Sequence, residues 1–281
     1  MRGRSINVSA NALAQAHKAW TTALVALVLV LSSCARSAQR EAYPHAMEPI
    51  GSVREIYDGV LTPELAVNTF RNIDRLFPSR VIARSSHPLP LLVSDEPLGP
   101  ITINDAGKEY DLDEFLELNR VSGVLVIAEG RIKLERYRLG NTERTRWMSM
   151  SVAKSITSTL IGVALKDGLI DSLSDPVTKY VPALLGSAYD GVSIRDVLTM
   201  SSGVKWNEAY TDPQSDRRRL LEAQIAQQPG GALEVMRSLP RASEPGTVNT
   251  YNTGETQIAA EVLLAPVKEE KRRTAAAVVP P

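Results

Sequence analysis

The stretch Ser149-Met150-Ser151-Val152-Ala153-Lys154-Ser155-Ile156-Thr157-Ser158-Thr159-Leu160, SMSVAKSITSTL, sets a hydroxyl and an amine three residues apart where a helical apolar pattern begins. The pattern continues through Ile156, Leu160, Val163 and Ala164 to Lys166, and Gly168 supplies a left-handed stop, so a largely buried helix over 152–166 is predicted. On a helix, residues three apart are neighbours, with Cβ atoms about 5–6 Å apart, so the Lys154 amine can reach the Ser151 oxygen. A serine hydroxyl is a weak nucleophile until a base accepts its proton. A buried amine at the positive end of a helix suits that task.

The bare pattern is weak evidence by itself. With 24 serines and nine lysines in 281 residues, chance yields roughly 0.8 copies of Ser-x-x-Lys. There are two. The second, Ser202-Gly-Val-Lys205, sits in a glycine turn that fixes no common face, and is read as noise. A Ser-His-Asp triad competes poorly. The three histidines, His17, His45 and His87, lie far apart, and the last two sit beside prolines without catalytic partners, as loop residues do. None has metal ligands at suitable spacing, so no metal and no cofactor is expected.

Lys plus Arg and Asp plus Glu each total 32, so no basic excess points to nucleic acid. The single cysteine, Cys34, excludes an internal disulfide. It follows Arg2, Arg4 and Lys18, the apolar run Ala23–Leu31, and Ser32-Ser33, the layout of a secretory signal over residues 1–33. That run is too short for a permanent span. Leu31-Ser-Ser-Cys34 is similar to a bacterial lipobox, which implies acylation at Cys34 and a membrane-surface anchor; a plain signal with an incidental cysteine is the other reading. Either way the folded part is expected to be exported in a bacterium, to the periplasm or anchored at the outer membrane.

Residues 34–100 are proline-rich and read as an extended, wrapping segment with one or two short helices, the best of them over Pro63–Arg75. Regular structure is expected in earnest after Asp111. A short helical pattern covers Asp113–Asn119; then the continuously apolar Gly123–Ala128 and the alternating Ile132–Tyr137 flank Glu129-Gly-Arg131, as a hairpin with one strand buried and the other half exposed. After the Ser-x-x-Lys helix come a short helix over Ser193–Met200, a Ser-Ser-Gly turn at 201–203, a Pro245-Gly246 turn, and helical spacing again over Glu255–Leu264. The helix is expected to stop at Pro266, and 266–281 to be a solvated, disordered tail. Strands before the motif and helices after it give an α+β fold: an antiparallel sheet flanked by helices plus an all-helical lobe, with the reactive serine between them.

Several spaced motifs in order carry a resemblance: Ser151-Val-Ala-Lys154 with SITSTLIGVALKDGLI, Asp175-Pro-Val-Thr-Lys-Tyr-Val-Pro182, and Ile194-Arg-Asp-Val-Leu-Thr-Met-Ser-Ser-Gly-Val204. Together they resemble the serine β-lactamase and penicillin-binding-protein superfamily over about 123–264, and within it the branch of class C β-lactamases, esterases and 6-aminohexanoate-dimer hydrolases. The resemblance implies an acyl-enzyme on Ser151, with Lys154 lowering or taking its proton and a later tyrosine relaying it. Tyr251, after a Pro-Gly turn and just before an apolar helix, matches that position. The implied substrate is a small-molecule amide or ester.

Two departures qualify that implication. Thr253 stands where class C β-lactamases carry asparagine, which favours the amide- and ester-hydrolysing relatives; Asn252 beside it reads as a turn residue. No Lys-Thr-Gly-type triplet follows Tyr251, so the last sheet strands and one oxyanion donor are expected to be missing, as in a truncated gene product. The alternatives are therefore a catalytically impaired lipoprotein remnant and a penicillin-binding carboxypeptidase or sensor. The domain boundaries so read are 1–33, 34–100, 101–265 and 266–281.

Overall fold

The computed structural model describes residues 43–278, so the signal reading of 1–33 and the acylation reading of Cys34 lie outside the described residues. The chain divides into two units, Met1–Glu48 and Pro49–Pro281. Of the first, the described part is a short turn in which His45 Nδ1 lies 2.9 Å from a Glu48 carboxylate oxygen.

In the larger unit the elements follow as α1 (Val53–Asp58), α2 (Pro63–Phe70), β1 (Leu92–Val93), β2 (Thr102–Asp105), β3 (Lys108–Asp111), α3 (Leu112–Leu118), β4 (Gly123–Ala128), β5 (Arg131–Tyr137), α4 (Val152–Lys166), α5 (Val177–Tyr180), α6 (Ile194–Leu198), α7 (Asp216–Ala226), α8 (Gly231–Arg237) and α9 (Thr253–Val278). The fold is mixed α+β, with the described strands all ahead of α4. Local chemistry accounts for many boundaries. Asp111 and Ser193 close capping boxes with Glu114 and Asp196 at the starts of α3 and α6. Pro63 occupies the first position of α2. Gly168, at φ +70°, ends α4.

The hairpin β4–β5 is antiparallel, turning through Glu129 and Gly130, both at positive φ. Three expectations about the sheet side need correction. The short strand β1 joins β5 in parallel, so the sheet is not purely antiparallel. A second hairpin, β2–β3, precedes Asp111 and turns through Ala106 and Gly107, where only an Asp-Ala-Gly turn signal marked it. Nor is β4 buried on both faces: Leu125 and Ile127 are exposed, because no described element covers that face.

The core lies in the helical lobe. Ile161, Ile170, Val177, Leu184, Val192, Leu220, Met236, Ile258 and Val262 are buried in one cluster, and α9 packs against α4, α5, α6 and α8. Burying one such aliphatic side chain contributes about 1.5–3 kcal/mol, so this lobe holds most of the stabilising contacts. Helix α4 has the predicted limits but not the predicted burial. Ile161 and Ala164 face the lobe, whereas Ile156, Leu160 and Val163 are 57, 49 and 47% exposed. Helical periodicity identifies an apolar stripe, but only a neighbouring element can cover it. A further correction concerns the last helix, which does not stop at Pro266 but continues through Val278 with the proline inside it. Proline removes one backbone donor, and the Lys, Glu, Arg and Ala residues that follow are strong helix formers.

Candidate active site

The chain reverses sharply just before α4. Met150 adopts a left-handed backbone (φ +46°), an uncommon conformation for a residue with a side chain, and Ser151 follows at the N-cap with φ −70° and ψ −7°. The Ser151 hydroxyl makes no capping bond to its own helix, so its oxygen is available to other groups. Lys154 Nζ donates to Ser151 Oγ at 2.9 Å, and Ser151 Oγ lies 2.7 Å from the Tyr251 hydroxyl. All three expected residues thus meet at one oxygen, although 100 positions separate Ser151 from Tyr251. The Lys154 nitrogen also lies 5.2 Å from the centre of the Tyr251 ring.

Tyr251 is held by its own loop. Backbone donors of Gly246 and Thr250 reach the Ser201 and Met200 carbonyls at 2.7 and 2.8 Å, and the Asn249 side chain donates to Thr199 at 2.6 Å. The Ser-Ser-Gly turn makes this close approach feasible. Gly203 sits at φ +75°, its carbonyl accepts from Ala242 and Ser243, and a Cβ there would lie 2.0 Å from the Ser243 carbonyl oxygen. The second Ser-x-x-Lys copy is no reactive pair. Ser202 is buried with its hydroxyl donating to Glu255, while Lys205 is exposed.

Beyond Tyr251, Glu208 accepts from the Thr253 backbone N–H at 3.0 Å, from the Thr253 hydroxyl at 2.5 Å and from the Trp206 indole, which ties the start of α9 to the segment after the turn. Thr253 is therefore committed to Glu208. Asn252 is buried and accepts from the Gly254 N–H at 2.9 Å, the geometry of a turn residue.

Electrostatics distinguish these groups. Burial pushes the Tyr251 phenol up, but hydrogen bonds with Ser151 and Lys154 and the Lys154 charge outweigh it, so its pKa lies below the ordinary 10.0. Burial raises the Tyr210 phenol to about 12, reinforced by its hydrogen bond to Glu208. Burial also raises Glu255 to about 8, only partly opposed by its bond from Ser202.

Ser151 and Lys154 open onto a cleft of about 520 Å³ whose walls include Tyr57, Phe77, Met148, Tyr210, Arg217 and Thr253. That volume lies in the range of small-molecule sites. No histidine lines it, and His87 pairs with its neighbour Ser86. Among the described residues no group of His, Cys, Asp and Glu could hold a metal ion. Sequence reasoning did not single out Tyr57, Glu208, Tyr210 or Arg217. The available signal was the polar and aromatic run Trp206-Asn-Glu-Ala-Tyr210 followed by Arg217-Arg-Arg219, which carries no spacing rule of its own.

Known proteins resemble the chain in sequence and in fold. The chain is 35% identical over 149 residues to a 6-aminohexanoate-dimer hydrolase from Paenarthrobacter ureafaciens, covering 52% of this chain and 36% of that protein. It is 37% identical over 87 residues to a beta-lactamase from Pseudomonas fluorescens, covering 28% of this chain and 24% of that one. The fold matches a Bacillus anthracis structure provisionally named a 6-aminohexanoate-dimer hydrolase, with a TM-score of 0.64 at 18% identity over 74% of this chain and 56% of that one. The chain thus spans about a third of the length of the first relative and just over half of the solved structure. Residues 112–270 match the Beta-lactamase family. Because that segment is more than half of the chain and carries Ser151, Lys154 and Tyr251, the chain belongs to the Beta-lactamase family.

Proposed function

We propose that this chain is a serine hydrolase that cleaves amide or ester bonds of small molecules through an acyl-enzyme on Ser151. The observation that carries the proposal is the convergence of Lys154 Nζ and the Tyr251 hydroxyl on Ser151 Oγ, at 2.9 and 2.7 Å. Both distances are within reach for proton transfer.

In the proposed cycle Ser151 Oγ bonds to the substrate carbonyl carbon while its proton passes to the Tyr251 oxygen. The Lys154 charge offsets the negative charge that develops on the two oxygens, in line with the lowered Tyr251 pKa. As the tetrahedral intermediate collapses, the bond to the leaving nitrogen or oxygen breaks and Tyr251 returns the proton to that atom. Water then adds to the acyl carbon, gives its proton to Tyr251, and Ser151 takes that proton back as the acid departs. Linear amides are favoured over β-lactams as substrates, since a match spanning 149 residues is to a 6-aminohexanoate-dimer hydrolase. Residue 253 is also a threonine, with no amide side chain to offer a substrate, and its hydroxyl is hydrogen-bonded to Glu208.

The same proposal takes residues 1–33 as an export signal and Cys34 as a lipid attachment point, supported by the charged, apolar and small-residue order there. Among the described residues no helix is long and apolar enough to cross a membrane. The test is intact-mass analysis after mixing the protein with a slowly released ester. A single acyl mass on the peptide holding Ser151, absent in Ser151→Ala, is the expected result. Turnover with no adduct, or an adduct unaffected by Ser151→Ala, overturns the proposal.

A further inference from the structure

Arg217 and Arg218 are adjacent residues at the start of α7, both buried, with opposite fates. Arg218 donates to Asp58 at 2.6 Å and to the Tyr210 carbonyl at 3.2 Å. Arg217 is 5% exposed, and its Nε and Nη1 are both buried without a hydrogen-bond partner. A buried guanidinium normally finds an acceptor, because leaving its donors unmade is costly. The acids nearby are engaged elsewhere: Asp58 with Arg218, Asp216 with Arg219 and the Asn207 N–H, and Glu208 with Thr253 and Trp206.

Arg217 also lines the cleft that holds Ser151 and Lys154. Its Cζ lies 4.5 Å over the Tyr57 ring, and Tyr57 contacts Tyr210 with ring centres 5.6 Å apart. Stacking on a ring fixes the guanidinium plane and leaves its N–H edge for a planar, two-oxygen acceptor. A buried guanidinium with two unmade donors, on the wall of a cleft that holds, among the described residues, Lys154 as its other cation and no carboxylate, is a built anion site. Burial, together with the neighbouring Arg218, draws the Arg217 pKa down to about 10, so an anion would relieve the charge.

We propose that Arg217 anchors a carboxylate of the substrate, so that the cleft takes short amides or esters that also carry a free carboxylate group. This rests on the hydrolase reading for the reaction, but the anion site itself can be tested without any turnover. In the full chain carrying Ser151→Ala, glutarate binding is measured by calorimetry or NMR titration, with the uncharged diamide glutaramide as control. Glutarate is expected to bind more tightly than glutaramide. Adding Arg217→Met, which keeps an unbranched apolar stem but no charge and no donors, should weaken glutarate binding about 10- to 100-fold, and Arg217→Lys, which keeps charge but not the fork, should weaken it less.

In the chain with Ser151 intact, Arg217→Met should lower the ratio of kcat/KM for 4-nitrophenyl hydrogen glutarate to that for 4-nitrophenyl pentanoate by a similar factor. Glutarate binding that requires Arg217 in a protein that hydrolyses neither ester upholds the anion site and removes the hydrolase reading. Ester turnover with glutarate binding and anionic preference both indifferent to Arg217, in the Met and Lys variants alike, removes the anion site and leaves the hydrolase reading intact.

Discussion

The two faces of α4 differ more than their composition. Toward the helical lobe, Ile161 and Ala164 are buried beside Ile258, Ala259 and Val262 of α9; on the other face Val152, Ile156, Leu160 and Val163 are equally apolar and stand largely exposed. The same contrast runs through the larger unit, with a closed core in the lobe and open faces on β4 and β1. The reactive groups follow the well-packed side. Ser151 begins α4, Tyr251 is pinned by the 199–203 turn, and α9 continues directly from it. Precision in this molecule comes from the lobe, which can hold three side chains at one oxygen regardless of what covers the other face.

The largest effect expected from that contrast is on chemistry. Tyr251→Phe and Lys154→Met should each lower hydrolysis about 10²- to 10⁴-fold, the usual contribution of proton transfer, while circular dichroism stays unchanged because both side chains lie at the edge of the lobe. The pH profile sharpens this. The Tyr251 pKa is lowered, so the form that accepts the Ser151 proton is populated below pH 10, and activity should rise with pH and level off before that value. In Lys154→Met the rise should move to higher pH, because the cation that favours the phenolate is gone. Identical profiles in the two proteins would break the assigned roles.

Next in size is the stability difference between the faces of α4. Ile161→Ala should destabilise by about 2–5 kcal/mol through a cavity in the lobe, whereas Ile156→Ala should cost no more than about 0.5–1 kcal/mol. Urea denaturation midpoints would show it, and equal losses would mean the exposed face is covered in solution.

A smaller effect concerns Glu255, whose pKa is raised to about 8 by burial. A carboxyl with a raised folded-state pKa stabilises the fold below its unfolded pKa, near 4.5, and that stability is lost as pH rises through about 8. Glu255→Gln should therefore flatten the fall in melting temperature between these limits. A wild-type melting temperature flat across that range would contradict the assignment.

Much of the site was legible because it obeys local rules. The Ser151–Lys154 spacing, the limits of α4, the 123–137 hairpin and the turn before Tyr251 all follow from short-range chemistry. What escaped depends on distant partners. Whether Leu160 is buried depends on a neighbouring element, and β1 is a two-residue strand whose pairing is decided by β5. Arg217 differs from Arg218 only in what lies opposite. Pro266 misled because it is a local signal overruled by the helix formers after it.

The central claim is that Ser151 Oγ is activated by Lys154 and Tyr251. The most direct measurement is the rate at which a fluorophosphonate probe labels the protein, followed by peptide mass spectrometry. One adduct on Ser151, lost in Ser151→Ala and formed at least about 10²-fold more slowly in Tyr251→Phe, is the predicted result. Labelling spread over several serines, or an adduct on Ser151 whose rate ignores both Tyr251 and Lys154, would contradict it.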